Sequence, residues 1–183
     1  MTLLTIMLLT MFTGVSADKY WGDFSDSEKE LFLQSQNFPQ NVINLYYNKL
    51  DLCDDDSTIE LLDYLIAKET DVKTKAFKFY LFNKIVISAD GSLLEILPKY
   101  ILQMVLSDIP YVFDYFKINS NVRDTYGLLL GTEFYFKECD SSLLPCTFSQ
   151  FKGKITSVLG SHDYDKEVFA FFDKIQKQID SMD

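Results

Sequence analysis

"LDLCDDDSTIELLDYL", residues 50 to 65, puts four aspartates and a cysteine directly before an apolar run. Read as a calcium loop, it makes the chain a metal protein. Read as a helix start, it makes the chain one of a series of capped helices. A calcium loop beginning at Asp51 needs oxygen ligands at its third and fifth places, Gly at its sixth and a bidentate Glu at its twelfth. The chain supplies Cys53, Asp55, Asp56 and Leu62. A loop beginning at Asp54 finds Asp56 and Thr58, then Ile59 and Leu65. Both registers fail at the turn and at the glutamate. The helix reading accounts for Ser57 and Glu60 as well. Ser57-x-x-Glu60 is a capping box, in which the hydroxyl takes the Glu60 amide and the glutamate reaches back. Asp54, Asp55 and Asp56 then lie where the positive end of the helix dipole favours negative charge. Ile59, Leu62 and Ile66 follow on one face, with Leu61 and Leu65 beside them.

The same signals recur outward in both directions. Ser25-x-x-Glu28 and Ser27-x-x-Glu30 are overlapping boxes that open a helix through Leu31, Phe32 and Leu33, which Pro39 must stop. A second helix carries Val42, Ile43, Leu45, Tyr46 and Leu50. A third stretch, from about Val72 to Ile87, buries Ala76, Phe79, Tyr80 and Val86 and turns Lys73, Lys75, Lys78 and Lys84 outward. Ser92-x-x-Glu95 caps "LLEILPKYILQMVL", residues 93 to 106, which is apolar nearly all round and belongs at the centre of the fold. Pro98 kinks that helix or marks its true first turn. Helices follow from Pro110 to Phe116 and from about Val122 to Glu138, then over "TFSQFKGKITSVLG", residues 147 to 160. The last, from about Asp165, places Val168, Phe172, Ile175, Ile179 and Met182 in one stripe against a partner helix. Sustained alternation and Asn-Gly hairpin turns are missing, so strands are not expected. The fold class is all-α: an irregular helical bundle or a short α-solenoid of about eight or nine helices with short connections.

Two stretches are faintly alike. "LLDYLIAKETDVKTKAFKF", residues 61 to 79, and "VFDYFKINSNVRDTYGLLL", residues 112 to 130, share a hydrophobic-Asp-Tyr-hydrophobic start, a polar turn and a Val-Lys or Val-Arg opening the next helix. This resembles HEAT repeats, whose second helix often opens with Asp-Val-Arg or Asp-Val-Lys. Asp71-Val72-Lys73 and Asn121-Val122-Arg123 hold those places. The resemblance covers about a third of the chain and implies stacked helix pairs, with the apolar helix inserted between the two copies.

Residues 1 to 17 follow a different logic. Leu3 to Val15 is a short apolar run, and Val15-Ser16-Ala17 sets small side chains where signal peptidase cuts. The expected products are a signal peptide at 1–17 and a single α-helical domain at 18–183, exported to a periplasm or the extracellular space. No second apolar run approaches membrane-spanning length, so no stable membrane anchor is expected. The net charge of −10 argues against nucleic acid, whose binders neutralise phosphates with clustered Lys and Arg. It serves plain solubility first, and would also favour a basic protein partner by long-range attraction. In an oxidising compartment Cys139 and Cys146 form the natural disulfide, contributing roughly 2–3 kcal/mol if unstrained. Cys53 is left over, as a buried small hydrophobe or as an alternative partner for either.

Candidate chemistry is sparse. One His and three scattered Cys do not make a zinc site, and the sequence calls for no metal and no cofactor. His162 lies where Ser161 or Asp163 caps the final helix. Neither a G-x-S-x-G elbow nor a phosphate-cradling glycine loop is present. Tyr20, Trp21 and Phe24 are the candidate partner-binding residues if exposed; buried, they pin the N-terminal segment to the bundle. Three functions remain. The first is a non-enzymatic exported protein that binds another protein, as an inhibitor or immunity protein does. The second is a small secreted hydrolase, which requires a cleft with two acids, one desolvated. The third is a carrier of apolar ligands, which requires a lined internal cavity.

Overall fold

The computed structural model describes residues 19–53, 55–136, 145, 147–160 and 165–183. Among them a short 3₁₀ turn, Trp21–Asp23, precedes nine α-helices and no strand. These are α1 (Asp26–Ser35), α2 (Gln40–Tyr46), α3 (Asp56–Ile66), α4 (Val72–Ser88), α5 (Leu93–Ser107), α6 (Ile109–Ile118), α7 (Ser120–Phe136), α8 (Phe148–Leu159) and α9 (Asp165–Asp180). The fold is all-α, as its caps and periodicities require.

Side-chain oxygens start most of these helices. Ser25 and Glu28 form the capping box of α1. Asp71 Oδ1 takes the Thr74 amide at 2.8 Å to open α4, and Asp108 does the same for α6 with Pro110 in the first turn. Thr147 and Gln150 box the start of α8. Two boxes differ from expectation. The cap of α3 is Asp55, whose Oδ1 accepts from the Thr58 amide at 2.9 Å; Ser57 lies inside the helix and donates its hydroxyl to that same oxygen. Ser92 is itself in helical conformation and makes no side-chain cap bond, so α5 is entered through a backbone turn. Pro98 sits inside α5 rather than in its first turn. At the end of α2, Asn48 turns the chain at φ 57°, which leaves Leu50 outside the helix.

Helices two apart in the chain are neighbours. One row runs α3, α5, α7, α9. The other runs α2, α4, α6, α8, joined between α4 and α6 by Phe79 against Tyr111 and Tyr115 and by a 2.7 Å Lys75–Asp108 ion pair. The two rows pack face to face through α3 on α4, α4 on α7 and α6 on α9. The arrangement is that of an irregular helical bundle or solenoid, with α5 lying in sequence between α3–α4 and α6–α7. The copies differ in detail: Asp71 caps α4 from outside, whereas Asn121 already lies within α7.

The core lies between the rows. α5 is central, with Leu97, Ile101, Leu102 and Val105 fully buried, and α4 shares that position. On α4, Tyr80 is exposed rather than buried, because Phe77, Leu81, Phe82 and Ile85 take the inner face. Its lysines are not all outward either. Lys78 is 6% exposed and 3.6 Å from Glu69, and Lys84 donates to the Leu45 and Tyr46 carbonyls at the end of α2. Asn83 is buried but satisfied: it donates to the Phe79 carbonyl at 2.9 Å and accepts from the Tyr126 hydroxyl at 2.7 Å, tying α4 to α7.

α7 and α9 approach most closely. A Cβ built on Gly127 would lie 2.9 Å from Lys174 Cβ, and one on Gly131 2.5 Å from Gln178 Cβ and 2.8 Å from the Ile175 carbonyl. A step of four on α7 thus matches a step of four in the same direction on α9, so the two helices run parallel. Phe171 and Ile175 are fully buried and Phe172 nearly so, while Met182 falls beyond the helix end. The expected stripe of Val168, Phe172, Ile175 and Ile179 packs on the core, and Phe171 widens it.

Candidate partner-binding groove

The edge helix α1 creates an open depression on the surface. Three adjacent apolar residues, Leu31, Phe32 and Leu33, subtend some 200° of a helix at 100° per residue, so a helix lying on a surface cannot bury all of them. Phe32 goes inward and meets Trp21, Phe38 and Phe77 at centroid distances of 5.6, 5.5 and 5.9 Å. Leu31 is left 67% exposed. Between α1 and the α3–α4 turn runs an open groove of about 860 Å³, with Leu31, Phe32, Phe38 and Tyr64 as its apolar lining. A smaller depression of about 280 Å³ lies on the other side of the 36–38 segment, lined by Leu33, Phe38, Ile43 and Tyr47.

Three carboxylates rim the larger groove, and all are held in the charged form. Glu28 accepts from the Ser25 amide at 2.9 Å and from its hydroxyl at 2.8 Å, and these bonds lower its pKa. Glu69 is lowered chiefly by the Asp71 amide, with help from the Thr70 amide and Lys78. Asp71 is lowered by the amide and hydroxyl of Thr74. Of the nearby cations, Lys78 is paired with Glu69 and stacked 4.4 Å over Tyr64, while Lys73 leans over the Phe24 ring at 5.4 Å.

A second cavity lies behind Glu69, where the end of α3 meets the α5–α6 junction. It holds about 100 Å³ and is lined by Lys75, Lys78, Glu69, Asp108 and Tyr111. That is well below the roughly 300–1,000 Å³ of small-molecule sites. Its charges pair as Lys75–Asp108 at 2.7 Å and Lys78–Glu69 at 3.6 Å.

The residues singled out in the sequence fall in different places. Trp21 and Phe24 are 4% and 5% exposed and lie in the core, so neither ring is offered to a partner at the surface. Tyr20 is half-buried, donates its hydroxyl to the Tyr111 carbonyl at 3.0 Å and stacks on Tyr111 and Tyr115. The three rings pin the N-terminal segment to α4 and α6. Cys53 is exposed rather than buried, and its thiol donates to Asp55 Oδ2 at 3.0 Å. That bond, with those from Thr58 and Ser57, holds the Asp55 carboxyl far below its ordinary range. Residues 1–17, the Cys139–Cys146 pair and His162 lie outside the described residues.

Among the described residues, no group of three or more His, Cys, Asp or Glu is arranged to hold a metal ion. No described helix is long and apolar enough to cross a membrane. Every described carboxyl with a displaced titration is displaced downward: Glu28, Asp55, Glu69 and Asp71. A hydrolytic general acid needs the opposite displacement. The sequence reasoning missed Leu31 as a surface residue and Glu69 as a groove residue. The run of three apolar side chains on a short helix was the available signal for Leu31. Glu69 gave none, since its place depends on the meeting of α1 with a turn some forty residues away. No family model matches the chain, nor does any curated protein or solved structure.

Proposed function

We propose that this chain is an exported, non-enzymatic α-helical protein that binds another protein, one with a basic surface, in the manner of an inhibitor or immunity protein. The observation that carries this reading is the groove beside α1: open, with Leu31, Phe32, Phe38 and Tyr64 set among polar side chains and rimmed by carboxylates that stay ionised. An apolar centre with a polar rim is the common make-up of a protein interface. The net charge of −10 adds long-range attraction toward a basic partner. The export half of the proposal rests on Leu3 to Val15 and on Val15-Ser16-Ala17, and with it goes a Cys139–Cys146 disulfide. The dense ring packing around Phe77 and Phe171 gives the Phe-rich helices a structural role, which removes the main reason for an apolar carrier.

Native mass spectrometry of the protein from the exported fraction of its own host tests both halves. We expect a chain that begins at Asp18, has lost two hydrogens to the disulfide, and travels with a second, basic protein. A chain that keeps residues 1–17 and stays in the cytoplasm would end the export half. A cleaved chain that always runs alone would end the binding half.

A further inference from the structure

We propose that the groove between α1 and the α3–α4 turn seats a basic amphipathic segment of the partner. One large apolar side chain of that segment lies against Leu31, Phe38 and Tyr64, and its lysines or arginines face Glu28, Glu69 and Asp71. This rests on the partner-binding reading above and assigns it a site and a chemistry.

Leu31 is the open half of a packing arrangement whose other half, Phe32, is filled from inside. An apolar side chain laid on Leu31 from outside would remove it from water, as buried anchors do in helix-in-groove recognition. The rim decides the sign of the ligand. Three carboxylates line the groove with one lysine, Lys73, which leans over the Phe24 ring and attracts Glu28 and Asp71; Lys19 stands over the same ring near Glu28, and Lys78 lies behind, against Glu69 and Tyr64. Each carboxylate is held by backbone amides, so it is fixed in place and charged before a ligand arrives. Such preorganisation reduces what binding must cost. Two other occupants fit less well. The chain's own residues 1–17 are apolar but contain no Lys or Arg to meet the rim. A second copy brings its own net charge of −10.

The test uses the purified chain and three labelled synthetic peptides: one of Lys and Leu on helical spacing, its Glu/Leu counterpart and its Lys/Ser counterpart. Fluorescence anisotropy reads their binding. We expect the Lys/Leu peptide to bind about tenfold or more tighter than either counterpart, the size of one buried leucine or one well-placed charge pair. Leu31→Lys should weaken that peptide about tenfold. Phe169→Lys adds the same charge on α9, at a residue 74% exposed, and should leave binding within about twofold. Lys73→Glu should tighten it severalfold. Leu31 and Lys73 both lie at the surface, so these variants keep the fold, and circular dichroism checks it.

Equal weakening by Leu31→Lys and Phe169→Lys would reduce the effect to general charge attraction and overturn the assignment. So would a self-association of the chain that Leu31→Lys abolishes, since a second copy would then own the groove. The host complex separates this inference from the reading beneath it. If the native complex survives Leu31→Lys but not a change elsewhere, partner binding stands and the groove assignment falls. If the peptide behaves as expected but no native complex exists, the partner reading falls and the groove keeps its chemistry.

Discussion

The two ends of the helical stack are held by opposite means. At the N-terminal end, α1 is anchored through a single ring, Phe32, set into a cluster of Trp21, Phe38 and Phe77. At the C-terminal end, α7 and α9 come so close that Gly127 and Gly131 leave no room for a Cβ. Rings meeting at 5 to 6 Å with varied tilts fill space unevenly, and both grooves open beside them. The α7–α9 seam of backbone against side-chain stems is closed, while an open depression of about 630 Å³ lies beside it between α8 and α9, lined by Phe148 and by polar residues such as Lys152 and Gln176. The contrast shows two ways of closing a helical stack: a ring cluster that leaves Leu31 uncovered, and a glycine seam that admits no side chain.

The largest effect should come from the ring cluster. Phe77 is fully buried and touches Trp21, Phe32, Phe38 and Tyr46. Phe77→Ala should cost about 3–5 kcal/mol in urea unfolding. A loss below about 1 kcal/mol would mean that the N-terminal end is not held by its rings. Next comes the seam. Gly131→Ala forces a methyl into the Gln178 stem and the Ile175 carbonyl and should cost about 2–3 kcal/mol. Gly127→Ala meets the Lys174 stem at Cβ and Cγ, both 2.9 Å away, with the Phe171 carbonyl at 3.5 Å, a milder clash than at Gly131, and should cost about 1–2 kcal/mol. If the two alanines cost the same, the close approach is not centred where the geometry puts it.

The smallest effect sharpens the rim. Asp71→Ala removes the cap of α4 and should cost about 1 kcal/mol near neutral pH. The folded-state pKa of Asp71 is lowered by its bonds to Thr74. Its contribution is therefore fully present above the ordinary Asp value, about 3.9, and is lost as pH falls through the lower folded value. The difference in stability between wild type and variant should be constant above about pH 5 and shrink below it. A difference that grows on acidification would contradict the cap.

Much of this fold was legible because helices announce their ends locally. The Ser25–Glu28 box, the Asp71 and Asp108 starts and the break at Pro39 each depend on a few adjacent residues. The box at Ser57 was misplaced by two residues because Asp55 offers an equally good acceptor, takes the Thr58 amide and captures the Ser57 hydroxyl as well. Phe171 was hidden because the 4–3 pattern around it was already satisfied by Phe172 and Ile175. Gly127 and Gly131 were visible as glycines, but a helical glycine does not say which neighbour approaches it. The groove was least legible of all. It joins α1 to the turn before α4, and no local pattern in either stretch refers to the other.

The measurement that bears most directly on these contrasts is amide hydrogen exchange along the whole chain, free and saturated with the Lys/Leu peptide. In the free protein we expect α7 and α9 to exchange slowest and α1 fastest among the described helices, since opening free energy follows local packing. With the peptide we expect protection confined to residues 26–38 and 64–74. Protection centred on α8 and α9 instead, with α1 unchanged, would contradict the groove as the binding end of this protein.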